Sequence, residues 1–338
     1  MAILVTGATG FLGGALVTEL VKRQQQVRVL ARDVQKAHAY FGGAATIIPG
    51  EVTNQGQVLR ALEGVDTLYH LAGRLYHTAT PTELYYETHV KGTRIILNAC
   101  LEQKYLQRVI HVSTTGVHGI TGSTPAAEDA PFAPTNPYEK TKLEGELLAL
   151  HAYQEHGLPV SIIRPGLVYG PGDLHLLGFF RAIQKGLFRV IAGGKACLHP
   201  VYIDDMVSAF LLCARSEQTI GRIYNIAGNQ VVTIHQLANS IARALGRNLP
   251  GGSIPLWLAN LASDIFSITP GTQGEQAPLT RSRVNFLTHS RVYDISRARS
   301  ELGYAPTIDM DEGLKLTAAW YEKNHLLAPI RSIERNQL

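Results

Sequence analysis

Cysteine is scarce in this 338-residue chain: Cys100, Cys197 and Cys213, odd in number and far apart. That spacing excludes a disulfide framework or a zinc site, and the three read as reduced, buried thiols of a cytosolic protein. Charge is also thin. Asp, Glu, Lys and Arg together make up 17%, the net charge is +4, and no long basic run accompanies it, so nucleic acid is not an expected partner. No stretch approaches the roughly 18 to 20 apolar residues of a membrane span. The most apolar segment, Ile254 to Ala262, stops at Ser263-Asp264. The apolar start lacks a basic leader and runs straight into a glycine loop, so no targeting segment is expected and the location is expected to be cytoplasmic. The 13 histidines are scattered without metal-binding helical spacing, so no metal site is expected. The 32 glycines and 16 prolines show no period, which removes collagen-like and low-complexity classes.

Hydrophobic residues make up 45%, enough for a sizeable core and too many for a disordered chain. Apolar runs alternate with helical patterns through the first half. Ile3 to Val5, Val27 to Leu30, Thr46 to Ile48, Thr67 to Leu71, Arg108 to Val112 and Val160 to Ile163 read as strands. Helical spacing occurs between them, notably over Leu84 to Cys100 and Tyr138 to Tyr153. This alternation predicts an α/β fold with a doubly wound parallel sheet of the Rossmann type. The rhythm breaks near Pro165. Residues 1–165 are expected to form the dinucleotide-binding domain and 166–338 mainly a smaller C-terminal substrate lobe. The chain is expected to re-enter the sheet at about 200–230, through Tyr202-Ile203 and Ile223 to Ile226. Ile234 to Leu245 reads as an amphipathic helix, 249–278 as a Gly/Pro/Ser-rich stretch around one apolar helix, and Asp294 to Lys323 as two short helices.

Thr6-Gly7-Ala8-Thr9-Gly10-Phe11-Leu12-Gly13 lies between the first strand and the first helix. Gly7 suits the tight turn, Gly10 the close approach of a pyrophosphate, and Gly13 the packing of helix on strand. The helix N-terminus then offers free N–H groups to phosphates. The second strand ends Ala31-Arg32 where an NAD site places a carboxylate. A cation in that place favours the extra phosphate of NADP, with NAD the alternative.

Tyr138 and Lys142 stand four apart and share one helix face, with Asn136-Pro137 a good helix start. A tyrosine loses its proton near pH 10, and a neighbouring ammonium together with a nicotinamide cation is expected to supply much of the stabilisation that lowers this toward neutrality. The phenol then works as general acid or base at an alcohol or carbonyl. Ser113-Thr114-Thr115 ends the fifth strand and places hydroxyls at the same carboxyl edge of the sheet.

With these motifs in view, the chain resembles the short-chain dehydrogenase/reductase superfamily, in its extended, epimerase/dehydratase branch. It is closest in flavour to 3β-hydroxysteroid dehydrogenase and dihydroflavonol reductase-like members. The resemblance covers about Ile3 to Tyr321, and rests on Thr6 to Gly13, His70 to Gly73, Tyr138 with Lys142, Arg164 to Gly172, Tyr202 to Asp205 and Leu302 to Pro306. It implies catalysis by Tyr138, Lys142 and Thr114. It implies cofactor contacts from Gly7, Thr9, Gly10, Phe11, Leu12, Gly13, Arg32, Glu51, Val52, Leu71, Ala72, Gly73, Pro165, Gly166 and Val168, besides Tyr138 and Lys142. It also implies a homodimer formed through about 82–101 and 137–156.

Departures narrow the expected reaction. Dehydratases of the family carry Asp-Glu directly after the catalytic threonine, where this chain has Thr115-Gly116, and decarboxylating members carry glutamate at Gly116. The arginine that often binds a nucleotide-sugar diphosphate is missing near Leu198 to Val201. The helix asparagine of the family's proton relay is His89. The apolar residues around Trp257 could line a pocket or form its lid, or pack on the lobe's own core. The expected function is therefore a nicotinamide-dependent oxidoreductase interconverting a secondary alcohol and a ketone of a small-molecule substrate. The alternatives are a nucleotide-sugar 4-epimerase with retained NAD and a non-catalytic NADP-sensing protein.

Overall fold

Short runs rich in valine, isoleucine and leucine, each closed by a turn, form the centre of the molecule. The computed structural model describes residues 2–268 and 279–330. Strands β1 (Ala2–Thr6), β2 (Gln26–Ala31), β3 (Thr46–Pro49), β4 (Val65–His70), β5 (Arg108–Val112) and β6 (Val160–Pro165) join a seventh strand, Ile223–Ile226. Their order across the sheet is Ile223–Ile226, β6, β5, β4, β1, β2, β3, and every neighbouring pair is parallel. The chain winds outward in both directions from β1 and β4, so the crevice at their carboxyl ends is the topological switch point where such sheets bind ligands.

Alternation along each strand feeds two cores. Val5, Val29, Ile110 and Ile163 face one side, against Leu16, Val17 and Leu20 of helix Phe11–Lys22 and Met206 and Phe210 of helix Ile203–Arg215. Leu4, Leu68, Val109 and Ile162 face the other, against Val58 and Leu62 of Gln55–Leu62, Ile96 and Leu97 of Gly92–Leu101, and Ala149 and Ala152 of Pro137–His156. The long helix expected over Leu84 to Cys100 spans Thr82 to Leu101, with a wider, π-helical turn at Glu87–Lys91.

One expectation needs correction. Tyr202-Ile203 does not return to the main sheet: Pro200–Tyr202 pairs with Leu167–Tyr169 in a separate two-stranded ribbon, and Ile203 opens a helix whose first turn carries Asp204 and Asp205. Acidic residues in a first turn favour that helix start. The helix Leu256–Ile268 exists, but it does not enclose its apolar side chains. Ala259 and Ser263 are buried, whereas Trp257 is 68% and Leu261 50% exposed. The rest of the Gly/Pro/Ser-rich stretch, from 269 to 278, lies outside the described residues. Among the described residues no helix is long and apolar enough to cross a membrane.

Candidate active site

The glycine loop occupies the turn out of β1. Gly7 adopts φ +72, and a Cβ there would lie 2.6 Å from the Leu71 carbonyl oxygen. A Cβ on Gly13 would lie 2.4 Å from the Gly7 oxygen, so the helix packs onto the turn only because that residue has no side chain. Gly10 meets only the Gly7 oxygen, at 3.2 Å, and is otherwise open. No side chain caps helix Phe11–Lys22 at Gly10, which leaves its first-turn amides available to an anion. Thr6 binds the loop to the end of β4: its Oγ1 accepts the Ala72 N–H at 3.2 Å and lies 2.8 Å from His70 Nδ1. Gly7, Thr9, Gly10, Phe11, Leu12, Gly13, Leu71, Ala72 and Gly73 thus gather around one open edge.

At the end of β2, Asp33 is committed to capping helix Val34–Phe41, where its carboxylate accepts the Lys36 N–H at 2.9 Å. Arg32 before it is exposed at the same sheet edge. After β3, the Glu51 N–H donates to Gln57 Oε1 while its side chain remains exposed, and Val52 packs against Gly92. These features form a cradle, open only where glycine leaves room, and they fit a nicotinamide dinucleotide.

The hydroxyl-bearing end of β5 and helix Pro137–His156 bring the reactive residues together. Asn136 caps the helix by accepting the Glu139 N–H at 3.0 Å, and Pro137 sits in its first turn. Thr114 Oγ1 accepts the Gly116 N–H at 3.1 Å, and the Thr114 hydroxyl lies close enough to the Tyr138 phenol to favour its ionisation. Lys142, buried one turn further on, donates to the Val112 carbonyl. Burial lowers its proton affinity to about 8, opposed in part by Glu146.

Within the protein itself the Tyr138 phenol is governed by burial. Burial raises it to about 12, opposed by the Thr114 hydroxyl, and Lys142 is not among the charges that bear on it. The physical reason is direction: shared helix spacing puts the two residues on one face, but the ammonium turns to a backbone carbonyl.

His89 lies beside them. Its Nε2 accepts the Arg74 N–H at 2.9 Å, and its Nδ1 meets Thr141 Oγ1 at 2.9 Å, whose hydroxyl donates to the Pro137 carbonyl. Its ring stands edge-on to Tyr138 with centroids 5.5 Å apart. Burial first, then the charge of Lys142, holds the imidazole far below its usual proton affinity, so it is neutral.

The residues after β6 close the far side. Pro165 accepts from Thr115 Oγ1 at 3.0 Å, Gly166 donates to the Ile226 carbonyl at 2.8 Å, and Val168 pairs with Val201. Gly116 has no room for a side chain, because a Cβ there would lie 2.9 Å from Glu139 Cγ. Glu139 is itself engaged by Arg291 at 2.9 Å and by Thr135.

Four charged residues escaped the sequence reading as site features: Glu139, the fully buried pair Glu146 and Arg164, and Arg74. Two carried a signal: Arg164 opens the Arg164 to Gly172 motif, and Glu146 stands at i+8 from Tyr138 on the same helix.

The sequence profile of the NAD dependent epimerase/dehydratase family matches residues 3–227. A 3β-hydroxysteroid-dehydrogenase/decarboxylase (isoform 1) of Arabidopsis thaliana is 28% identical, over 93% of this chain and 78% of its own length. A 2-alkyl-3-oxoalkanoate reductase of Stenotrophomonas maltophilia is 28% identical over 93% of this chain and 98% of its own. Among solved structures, the UDP-glucuronic acid 4-epimerase of Bacillus cereus, in complex with UDP-glucuronic acid and NAD, superposes with a TM-score of 0.77. It is 24% identical and covers 96% of this chain and 100% of its own, a likeness of fold.

Proposed function

The chain belongs to the NAD-dependent epimerase/dehydratase family, and from that premise we propose that it is an NADP-preferring oxidoreductase interconverting a secondary alcohol and a ketone. The observation that carries this reading is the meeting of Tyr138 and Thr114 at the carboxyl edge of β5, with Lys142 one turn below and the neighbouring carboxylate, Glu139, tied to Arg291. A phenol that keeps its proton at neutral pH is a proton donor. In the reducing direction Tyr138 gives its proton to the carbonyl oxygen while the Thr114 hydroxyl hydrogen-bonds the same oxygen. In the oxidising direction the proton returns to Tyr138.

The glycine loop, Leu71 to Gly73, and Pro165, Gly166 and Val168 would hold the dinucleotide, with Glu51 and Val52 toward its adenine end and Lys142 at the nicotinamide ribose. When bound, the nicotinamide supplies or accepts the hydride. Arg32, at a strand end without a competing carboxylate, supports the NADP preference. The residues after 165 would mainly shape the substrate side. Dehydration and decarboxylation are disfavoured because Thr115-Gly116 carries no carboxylate. Two relatives whose names describe hydroxysteroid and oxoalkanoate substrates support an apolar ketone or alcohol.

The test is NADPH oxidation with a panel of ketones. Wild type is expected to turn over an apolar ketone, and Tyr138→Phe to lose activity by about 100-fold or more while still binding the dinucleotide. A Tyr138→Phe variant as active as wild type overturns the assignment. Retention of NAD through purification together with tight UDP-sugar binding would replace it with the epimerase reading.

A further inference from the structure

We propose that Arg74 is an oxyanion-binding residue of this cleft, a role that rests on reading the cleft as the dinucleotide and substrate site. Arg74 follows Leu71-Ala72-Gly73 at the carboxyl end of β4, and the start of that loop lies directly against the glycine turn, where the Gly7 backbone closes on the Leu71 carbonyl. The loop is braced from beneath by two buried residues. The Arg74 N–H donates to His89 Nε2 at 2.9 Å. The His77 N–H donates to the Tyr85 hydroxyl at 2.7 Å, and that hydroxyl donates to the His77 carbonyl at 3.0 Å. The backbone that carries the guanidinium is therefore fixed.

The guanidinium itself is not satisfied. Its Nε is buried without a hydrogen-bond partner among the described residues. Its charge reaches His89, the ring that stands against Tyr138. Two carboxylates of the helix that carries Tyr138 are already engaged, Glu139 by Arg291 and Glu146 by Arg164. Lys142 adds a second cation to the cleft, and the histidines at 70, 89 and 111 are driven toward the neutral form by burial.

A buried guanidinium N–H is expensive to leave unpaired, and its planar fork matches a carboxylate or phosphate. The ligand is an oxyanion from one of two sources: a phosphate of the dinucleotide or an anionic group on the substrate.

The experiment compares wild type, Arg74→Met and Arg74→Lys, each first checked for an unchanged melting temperature. Dinucleotide affinity is read by fluorescence titration with NADPH. KM is read for matched ketones with and without a carboxylate. If the anion belongs to the cofactor, Arg74→Met weakens NADPH roughly 10- to 100-fold and Arg74→Lys recovers part of the loss. If it belongs to the substrate, NADPH affinity holds and KM rises by a similar factor for the carboxylate-bearing ketone alone. A folded Arg74→Met that matches wild type in all three measurements overturns the inference and leaves the functional reading standing. Wild type that binds NADPH but turns over no ketone overturns the functional reading, and the affinity arm still judges Arg74.

Discussion

Lys142 gives up its proton near pH 8 because its amine lies among apolar and neutral groups, with Glu146 restoring only part of the difference from a solvent-exposed lysine. An ammonium at this position favours binding of a nicotinamide ribose hydroxyl, and so the positioning of the dinucleotide. Ketone reduction is therefore expected to be level below pH 8 and to fall above it as the amine is deprotonated, approaching tenfold per pH unit. Lys142→Arg, which keeps its charge at every accessible pH, should remove that alkaline limb even if the plateau is lower. A pH–rate profile identical in the two proteins would show that another group sets the limb. Arg32 makes a second prediction at this scale: Arg32→Ala should weaken NADPH about tenfold and leave NADH unchanged, read as paired dissociation constants. The i, i+4 spacing placed Tyr138 and Lys142 on one helix face correctly. What spacing cannot carry is the χ angles, and those send the ammonium to Val112 and leave the phenol with Thr114.

The elements that hold this geometry are joined by a pair of charges with no exposure to solvent. Arg164 at the end of β6 binds Glu146 of helix Pro137–His156 through both Nε and Nη2, and its Nη1 donates to the Glu128 carbonyl and meets His118 Nε2 at 2.9 Å. Glu146→Ala would strand a buried guanidinium and is expected to cost about 3 to 5 kcal/mol of stability. Replacing both partners with apolar residues, as in Glu146→Leu with Arg164→Met, should cost less than the single change, and urea melts of the two variants compare them directly. Equal losses would mean that the pair acts independently of its partners.

The pair shows which kind of element-level information the sequence withheld. β5 is found at the residues expected, Arg108–Val112, because a run buried on both sides announces itself by composition. The helix after the glycine loop is announced by leucines at helical spacing. Arg164 and Glu146 are 18 residues apart, and neither carries a local mark of burial. Tyr202 was misplaced for a related reason: its run is as apolar as a sheet strand, but its partner is the short Leu167–Tyr169 segment.

At the scale of the whole molecule, the polar layer beneath the cleft makes stability depend on acid. His70 sits between Thr6 and Thr93, and burial lowers it to about 3. His89 and His111 are lowered further in the same direction, by burial first and then by the charge of Lys142. In the unfolded chain each takes a proton near pH 6.5. Above that value both states are neutral and the histidines contribute nothing to the pH dependence. Below it the unfolded state binds protons that the folded state refuses, so stability falls as pH drops from about 6.5 toward the folded values. Each histidine adds up to about 1.4 kcal/mol per pH unit to that slope. His111 offers the cleanest measurement, because neither ring nitrogen has a hydrogen-bond partner among the described residues, and its removal therefore breaks no hydrogen bond described here. The groups that bear on it are Lys142, His70 and His89. Urea melts of wild type and His111→Leu between pH 7 and 5 should give equal or greater stability for the variant at pH 7. On acidification the variant should lose about 1.4 kcal/mol less per pH unit. Parallel slopes in the two proteins would mean that His111 accepts a proton in the folded state, and that the layer under the cleft is wet enough to ionise.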